Sequence, residues 1–196
     1  MKDYKAEIAK YIEAEIDVLR TLDVNALNDV LNLLEQTLDN ESMVYIMGNG
    51  GSAATASHFQ NDFNKGVSEY TEKKFRFLCL NDNVPTVMAI ANDIGYEEIF
   101  RFQLRGRLRP GDVVICISGS GNSKNVLNAA EYAKERGNTV VGITGYSGGK
   151  LREIADCSLH VPVNSMQITE DIHMVFDHLM MSIFYRELCG IEHLRK

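Results

Sequence analysis

A strand pattern that runs directly into a serine- and glycine-rich loop constrains this chain more than any other feature. The apolar run VVICI at 113–117 has the length and β-branched content of a buried strand. The loop SGSGNS follows at 118–123, and helical spacing resumes at 124–132. Glycines let a backbone approach a ligand closely, and the start of a helix offers free N–H groups. The stretch therefore predicts an anion site, with an ordinary polar turn as the simpler alternative.

Alternating strand and helix patterns continue along the rest of the chain. Strands are predicted at 43–47, 75–80, 112–117, 139–143 and 157–161. Helices are predicted at 52–65, 86–91, 96–107, 123–136, 150–155 and 166–188. Such alternation predicts a parallel sheet covered by helices on both faces. We therefore expect an α/β fold with a doubly wound five-stranded parallel sheet, and ligands beyond the carboxyl ends of its strands.

Two helices precede the first predicted strand. Apolar stripes at 4–19 and 27–38 indicate amphipathic helices, with Asp23 or Asn25 as the N-cap of the second. These helices have no sheet partner in the sequence, which favours packing across a subunit boundary. We expect a single domain over residues 1–196, with a helical arm at 1–40 and an α/β sandwich at 41–196.

Charge, hydropathy and cysteine usage restrict the partners that this chain is expected to have. The formal net charge is −7 and no run of Lys or Arg is long, so we expect no nucleic-acid partner. The richest basic segment, 101–109, is interpreted as a helix flank or a subunit contact. No signal peptide or membrane-spanning stretch is recognised, so no membrane partner is expected. Four scattered cysteines without a CxxC pair indicate buried thiols in a reducing cytoplasm.

A second glycine-rich loop, GNGGSAA at 48–54, follows the first predicted strand. It matches a G-x-G-x-x-A dinucleotide fingerprint, but the acidic residue expected after the second strand is missing, because Asp82 falls too late. It is not a P-loop, since no Gly-Lys-Ser/Thr follows. A short nest with polar contacts from Asn49 and Ser52 is the better interpretation. Loops after strands one and three would flank the switch point of the sheet, an arrangement suited to a phosphate monoester.

Both loops resemble those of a known family. The segments GNGGSA at 48–53, followed by His58, and SGNSKN at 120–125 resemble the sugar isomerase (SIS) family, and more narrowly its sedoheptulose-7-phosphate isomerase branch. AIAND at 89–93, RPGDV at 109–113 and GITG at 142–145 support this resemblance, which extends over nearly the whole chain. It implies a flavodoxin-like SIS fold, a homotetramer with active sites between subunits, and interconversion of ketose and aldose phosphates, often with a bound zinc ion.

The catalytic and metal residues are implied by this resemblance. His58 and Asp62 are four residues apart and share a helix face, although the family usually has Glu at the second position. In the last helix Gln167 replaces an acidic residue and Glu170 replaces a Gln. The resemblance implies catalytic roles for Asp62, His178 and Glu170, and a zinc or similar site of His58, Asp62, Glu170 and His178. Because eight helical residues are about 80° off register, Glu170 and His178 converge only if one lies at a helix end. Alternatively, both imidazoles are structural and the carboxylates are solvated.

A further set of residues is implied to hold the substrate and its phosphate. It consists of Asn49, Gly50, Gly51, Ser52, Asp93, Ser118, Gly119, Ser120, Ser123 and Gln167. Asp93 has a competing interpretation as the N-cap of the next helix. His173 and Asp177, also four residues apart, are interpreted as a structural pair, and neither His160 nor His193 is given a role.

Two classes of function remain open on the sequence. The first is an aldose–ketose isomerase that converts sedoheptulose 7-phosphate to D-glycero-D-manno-heptose 7-phosphate by proton transfer through an enediol(ate). A different sugar phosphate is a variant of this hypothesis, because Asp62, Gln167 and Glu170 depart from the family where sugar hydroxyls or metal are expected. The second class is a non-catalytic SIS protein that senses a sugar phosphate or serves as an adaptor.

Overall fold

The computed structural model describes residues 2–191 as a parallel sheet with helices on both faces. Five strands pair in the order β2-β1-β3-β4-β5. Their bounds are Val44–Gly48 (β1), Phe77–Cys79 (β2), Val113–Ser118 (β3), Thr139–Thr144 (β4) and Cys157–His160 (β5). All four pairings are parallel. The predicted α/β class and doubly wound sheet are therefore confirmed, with strand bounds shifted by one or two residues.

Eight α-helices occur among the described residues. They are Lys5–Leu19 (α1), Val24–Asp39 (α2), Gly51–Asn61 (α3), Val84–Asp93 (α4), Arg101–Leu104 (α5), Lys124–Glu135 (α6), Gly149–Ile154 (α7) and Met166–Glu187 (α8). The helix predicted at 96–107 is instead a 3-10 turn at Tyr96–Glu98 followed by the short α5. Asp93 is the last residue of α4, and Gly95 precedes the 3-10 turn, so the alternative prediction of Asp93 as an N-cap is wrong.

Two hydrophobic clusters lie on opposite faces of the sheet. Side chains alternate along each strand, so β1 directs Val44 and Ile46 to one face and Tyr45 and Met47 to the other. The first face packs against α2, α3 and α8, and the second against helices α4 to α7. Because both faces are covered, β1 and β3 are buried at every position.

The two leading helices differ in how they pack. Asp23 caps α2 by accepting the backbone N–H groups of Asn25 and Ala26, and α2 contributes Leu27, Val30 and Leu34 to the core. In contrast, α1 has no buried residue and exposes an apolar stripe. Its exposed side chains are Tyr4, Ile8, Tyr11, Ile12 and Leu19.

The reversal of strand order determines where a ligand site can form. β1 lies between β2 and β3, so the chain leaves the carboxyl ends of β1 and β3 side by side, with Gly48 opposite Ile117. Both glycine-rich loops begin at this point. No helix among residues 2–191 combines the length and hydropathy that are needed to cross a lipid bilayer.

Candidate functional site

A cavity of about 190 Å³ lies between the two glycine-rich loops. On one side the chain turns through Gly50, at φ +57°, into the start of α3. On the other side the hydroxyls of Ser118 and Ser123 are 3.2 Å apart at the start of α6. The lining residues are Asn49, Ser52, Ile117, Ser118, Gly119, Ser120, Ser123, Met166 and Glu170. Hydroxyls and helix starts at one point suit a phosphoryl group, and the cavity is smaller than one that encloses a whole metabolite.

A hydrogen-bond network fixes the position of Asn49 at this cavity. Asn49 and the buried Asn125 exchange two amide hydrogen bonds of 2.9 Å each. The hydroxyl of Tyr96 donates to Asn49 Oδ1 at 2.8 Å. Asn125 comes from α6 and Tyr96 from the turn before α5, so three segments hold one side chain. Asn125 and Tyr96 are not among the residues predicted for the site, because the side chains that they contact are distant in the sequence.

The carboxylate of Glu170 lies beside the first loop. A Cβ atom on Gly51 would lie 2.3 Å from Glu170 Oε1, so the carboxylate approaches the backbone closely at this glycine. Glu170 belongs to the second turn of α8 and lines the serine cavity. This position separates it from His178, because eight residues advance a helix by about 12 Å and turn it about 80° out of register.

A second group of polar side chains lies further along α8. His58, Asp62, Asp177 and His178 each offer one ligand atom, and these atoms all lie within 4.8 Å of one another. His58 Nε2 is 3.2 Å from His178 Nε2 and 3.4 Å from Asp62 Oδ2. We call these four residues the His–Asp cluster. Two imidazoles and two carboxylates are ligands that Zn²⁺ and similar divalent ions accept.

A π-helical turn at Asp62–Gly66 places Asp62 in this cluster. The turn continues α3 and buries both Asp62 and Phe63 against α8. Single π turns inside helices frequently occur at functional sites. Gly66 permits the close packing, since a Cβ atom there would lie 2.5 Å from Met181 Cε. Side-chain spacing in the sequence gives no signal for this turn.

Electrostatics distinguish Asp177 from the other members of the cluster. Its side chain is fully buried, and neither carboxylate oxygen has a hydrogen-bond partner. Burial, and then the nearby charge of Asp62, raise the pKa of Asp177 to about 8. A carboxylate left in this state fits a bound cation, because an ion would supply the missing partner.

His173 lies one helical turn before Asp177 on α8 and is also fully buried. Burial lowers its pKa to about 4, although the nearby Thr144 backbone acts in the opposite direction. Neither ring nitrogen has a well-formed hydrogen bond, so His173 and Asp177 do not bond each other. The structural pair that their spacing predicts is therefore not joined by a hydrogen bond, and Asp177 lies in the His–Asp cluster instead.

Comparison with known proteins gives the family of this chain. The family model of the SIS domain matches residues 4–145. The chain belongs to the SIS domain family. A phosphoheptose isomerase from Aliarcobacter butzleri is 37% identical over 78% of this chain and 80% of the relative. One from Sulfurimonas denitrificans is 33% identical over 97% of this chain and 98% of the relative.

A solved structure is similar to most of this chain. The phosphoheptose isomerase of Neisseria gonorrhoeae superposes with a TM-score of 0.82 at 32% identity. The match covers 91% of this chain and 95% of that one. The similarity extends beyond residues 4–145 of the matched SIS domain model, because the alignment with the Sulfurimonas denitrificans relative covers 97% of this chain.

The SIS fold brings most of the predicted site residues together, but in two groups. The cavity is lined by the predicted residues Asn49, Ser52, Ser118, Gly119, Ser120, Ser123 and Glu170, with Gly50 and Gly51 in the loop beside it. Asp93 is exposed at the end of α4 and accepts from Asn92 at 2.8 Å, and it is not among the lining residues. Gln167 is exposed in the first turn of α8, also outside the lining.

The His–Asp cluster differs from the predicted metal set by one carboxylate. His58, Asp62 and His178 are present in it, whereas Asp177 stands in the place expected for Glu170. Asp177 is buried and lies next to His178 in α8, whereas Glu170 is two turns away. His160 ends β5 and pairs with the Thr144 hydroxyl at 3.1 Å, and His193 is outside the described residues.

Proposed function

We propose that this protein is an aldose–ketose isomerase that converts sedoheptulose 7-phosphate to D-glycero-D-manno-heptose 7-phosphate. The relatives that carry the name phosphoheptose isomerase support this substrate class, and two of them align with 78% and 97% of this chain. We further propose a single SIS domain over residues 1–196, with the helical arm at 1–40 and the α/β sandwich at 41–196. Within the arm, α2 packs against the core of the sandwich, whereas α1 has no buried residue.

The observation that carries this proposal is the arrangement of two chemically different sites along one helix. Met166 and Glu170, near the start of α8, line the serine cavity, whereas Asp177 and His178 belong to the His–Asp cluster. From Glu170 to His178 the helix advances by about 12 Å. In an open seven-carbon sugar with a terminal phosphate, the bonds are about 1.5 Å long. Because they form a zigzag, the distance from C1 to the phosphorus atom is about 10 Å. A phosphate at the serines therefore leaves C1 and C2 close to the imidazoles.

In the mechanism we infer, the serine cavity fixes the phosphate and leaves the carbonyl end free to react. The hydroxyls of Ser118, Ser120 and Ser123 donate to the phosphoryl oxygens, and Asn49 stays oriented through Asn125. Glu170 lines the serine cavity, about 12 Å along α8 from His178, so we place it at the hydroxyls nearest the phosphate and not as the alternative base. This binding orders the reacting carbons beside the acid and base groups.

Proton transfer between C1 and C2 is assigned to Asp62 and His178. One removes the proton from the carbon that bears a hydroxyl, and the other moves the hydroxyl proton to the adjacent carbonyl oxygen, through an enediol(ate). Zn²⁺ or a similar ion would be held by His58, Asp62, Asp177 and His178, where its chemistry is to polarise the carbonyl. The unpartnered carboxylate of Asp177 supports this ligand set over one that includes Glu170.

The activity is tested by incubating the protein with sedoheptulose 7-phosphate and Zn²⁺, and following new sugar phosphates by ³¹P and ¹H NMR. We expect turnover by the wild-type protein and a loss of about 100-fold or more in Asp62→Asn and His178→Ala. The control Asp29→Asn changes an exposed carboxylate on α2 and is expected to retain activity. Absence of turnover both with and without metal contradicts the proposal. If the protein turns over only a different sugar phosphate, it is an isomerase of that sugar and the proposed substrate is wrong.

We also propose a homotetramer in which subunits meet at the active sites, in the cytoplasm. A cavity of about 840 Å³ between α2 and α8 is lined mainly by apolar side chains and is bordered by His178. The exposed apolar stripe of α1 supports a second copy as the partner, since large exposed apolar patches mark interaction surfaces. The free thiols of all four cysteines support the reducing compartment.

A further inference from the structure

Three arginines surround a cavity at the opposite end of the sheet from the serine cavity. Arg76 directly precedes β2, and Arg107 and Arg109 lie in the segment that leads to β3. All three line a cavity of about 390 Å³, together with Tyr45 at the amino end of β1. We call this the arginine cavity. Its volume is within the range of sites that bind small metabolites.

The charges in the arginine cavity are not neutralised by neighbouring carboxylates. In the basic segment 101–109, the side chains of Arg101 and Arg105 each pair with Glu98 at 3.4 Å. Arg107 and Arg109 make no ion pair with any residue between 2 and 191. Arg76 likewise has only the backbone carbonyl of Glu41, at 3.0 Å, as its partner.

The buried carboxylate in the lining of this cavity already accepts hydrogen bonds from the backbone. Asp112 accepts the backbone N–H of Met43 and that of Arg109, each at 2.9 Å, and its side chain is buried. These bonds fix the turn that leads into β3 and leave the guanidinium groups free. Glu41, the other acidic residue of the lining, is exposed.

The three arginines share the lining of this cavity with one buried phenol, that of Tyr45. Tyr45 is 4% exposed, and its hydroxyl faces the Arg107 carbonyl oxygen at 3.5 Å. Burial raises the pKa of Tyr45 and Asp112 adds to this effect, whereas Arg107, Arg109 and Arg76 all act to lower it. Each positive charge is therefore within electrostatic range of the same oxygen atom.

We propose that the arginine cavity binds the diphosphate group of a phosphorylated metabolite. Guanidinium groups bind phosphate oxygens in pairs of parallel hydrogen bonds, and three of them match the charge of two linked phosphates. The serine cavity is chemically different, because none of its lining side chains is Lys or Arg and it suits the lower charge of a monoester. The two sites therefore separate two classes of phosphate ligand.

Inorganic pyrophosphate is the probe, titrated calorimetrically into metal-free protein. The double variant Arg107→Gln/Arg109→Gln is expected to bind about 10-fold or more weakly than the wild type, and wild-type binding is expected to weaken as salt rises. The control Arg105→Gln removes an arginine of the same segment that pairs with Glu98, and it is expected to bind normally. Thermal unfolding checks that all variants remain folded.

A second control distinguishes the arginine cavity from the serine cavity. Ser120→Ala/Ser123→Ala is expected to retain the pyrophosphate site, and the arginine double variant is expected to retain isomerase activity. Equal binding by the wild type and the arginine double variant, an equal loss in Arg105→Gln, or no binding by the wild type overturns the proposal. Loss of all binding in the serine variant assigns pyrophosphate to the other cavity and also overturns it.

Discussion

Substitution of Asp177 gives the sharpest test of the proposed metal site. Glu170 and Asp177 are both acidic side chains of α8, and only Asp177 lies in the His–Asp cluster. We expect Asp177→Asn to lower Zn²⁺ affinity by about 10–100-fold, measured by competition with a chelating dye. Glu170→Gln is the matched comparison and is expected to leave affinity largely unchanged. The opposite pattern would return Glu170 to the metal site.

His173 gives a pH dependence whose sign follows from its burial. The folded protein holds its pKa near 4, whereas the unfolded chain binds the proton below about 6.5. The stabilising contribution of the neutral imidazole is therefore complete above pH 6.5 and is lost as the pH falls towards 4. It amounts to about 3 kcal/mol at most.

This contribution is measured by urea unfolding between pH 4 and 8 in the presence of a chelator. The free energy of unfolding of the wild type is expected to fall more steeply below pH 6.5 than that of His173→Leu. Above pH 7 the two curves are expected to run parallel, since both proteins then carry an uncharged side chain at this position. Parallel curves over the whole range would mean that His173 is not held neutral in the folded protein.

Residues of the candidate site could be predicted from the sequence where they lie together in one local pattern. The serines and Asn49 were identified from the two loops, because a glycine-rich turn and its ligand groups are close in the sequence. Asp177 was missed because a carboxylate four residues after a histidine also matches a simple helical pair. Its unpartnered oxygens are a tertiary property that no spacing reveals.

At the scale of elements, Gly121 joins the second loop to the start of α7. It has φ +65°, and a Cβ atom there would lie 1.8 Å from the carbonyl oxygen of Gly148. Gly137 has a similar φ of +77° with no atom within 4 Å. The two glycines therefore share the backbone conformation and differ in the space around them.

Substitution by alanine at Gly121 and at Gly137 separates the cost of the backbone conformation from the cost of the close contact with Gly148. Gly137→Ala is expected to cost about 1 kcal/mol of stability, from the left-handed backbone alone. Gly121→Ala is expected to cost about 1–3 kcal/mol more, because the loop must move away from Gly148, and to weaken phosphate binding at the serines. Chemical denaturation and phosphate titration measure both effects. Equal costs at the two positions would contradict the close contact between these loops.

Helices and strands with a regular spacing of apolar residues could be predicted from the sequence. Elements that depend on packing against the rest of the fold could not. β3 and α8 lie within one residue of their predicted bounds, because each has a sustained hydrophobic pattern. The π turn at Asp62–Gly66 has no such pattern and depends on contact with α8. The helix predicted at 96–107 is interrupted after Glu98, although the buried residues Ile99, Phe100 and Leu104 all pack in one hydrophobic cluster.

At the scale of the whole molecule, the assembly depends on apolar surface that one chain leaves uncovered. The double variant Ile8→Glu/Ile12→Glu places two charges on the exposed stripe of α1. Because α1 has no buried residue, the fold of the chain is expected to persist while the oligomer dissociates. Light scattering measures the mass, and circular dichroism checks the fold. A variant that keeps the wild-type mass would exclude this stripe from the interface.

The sheet order could be anticipated only in part. Alternating elements predict parallel strands and right-handed crossovers, and the position of the reversal between β1 and β3 followed from the two loops. The partner surfaces could not be assigned, because the same apolar stripe on α1 would equally suit packing within one chain. Its exposure is what distinguishes the two cases.

A crystal structure with bound sedoheptulose 7-phosphate would show whether one ligand spans both sites. We expect the phosphorus atom between the loops that follow β1 and β3, with oxygens bonded to Ser118, Ser120 or Ser123. We also expect C1 and C2 beside His178 and Asp62, at the far end of the same ligand. A phosphate bound elsewhere, or a carbonyl end directed away from both imidazoles, would contradict this arrangement.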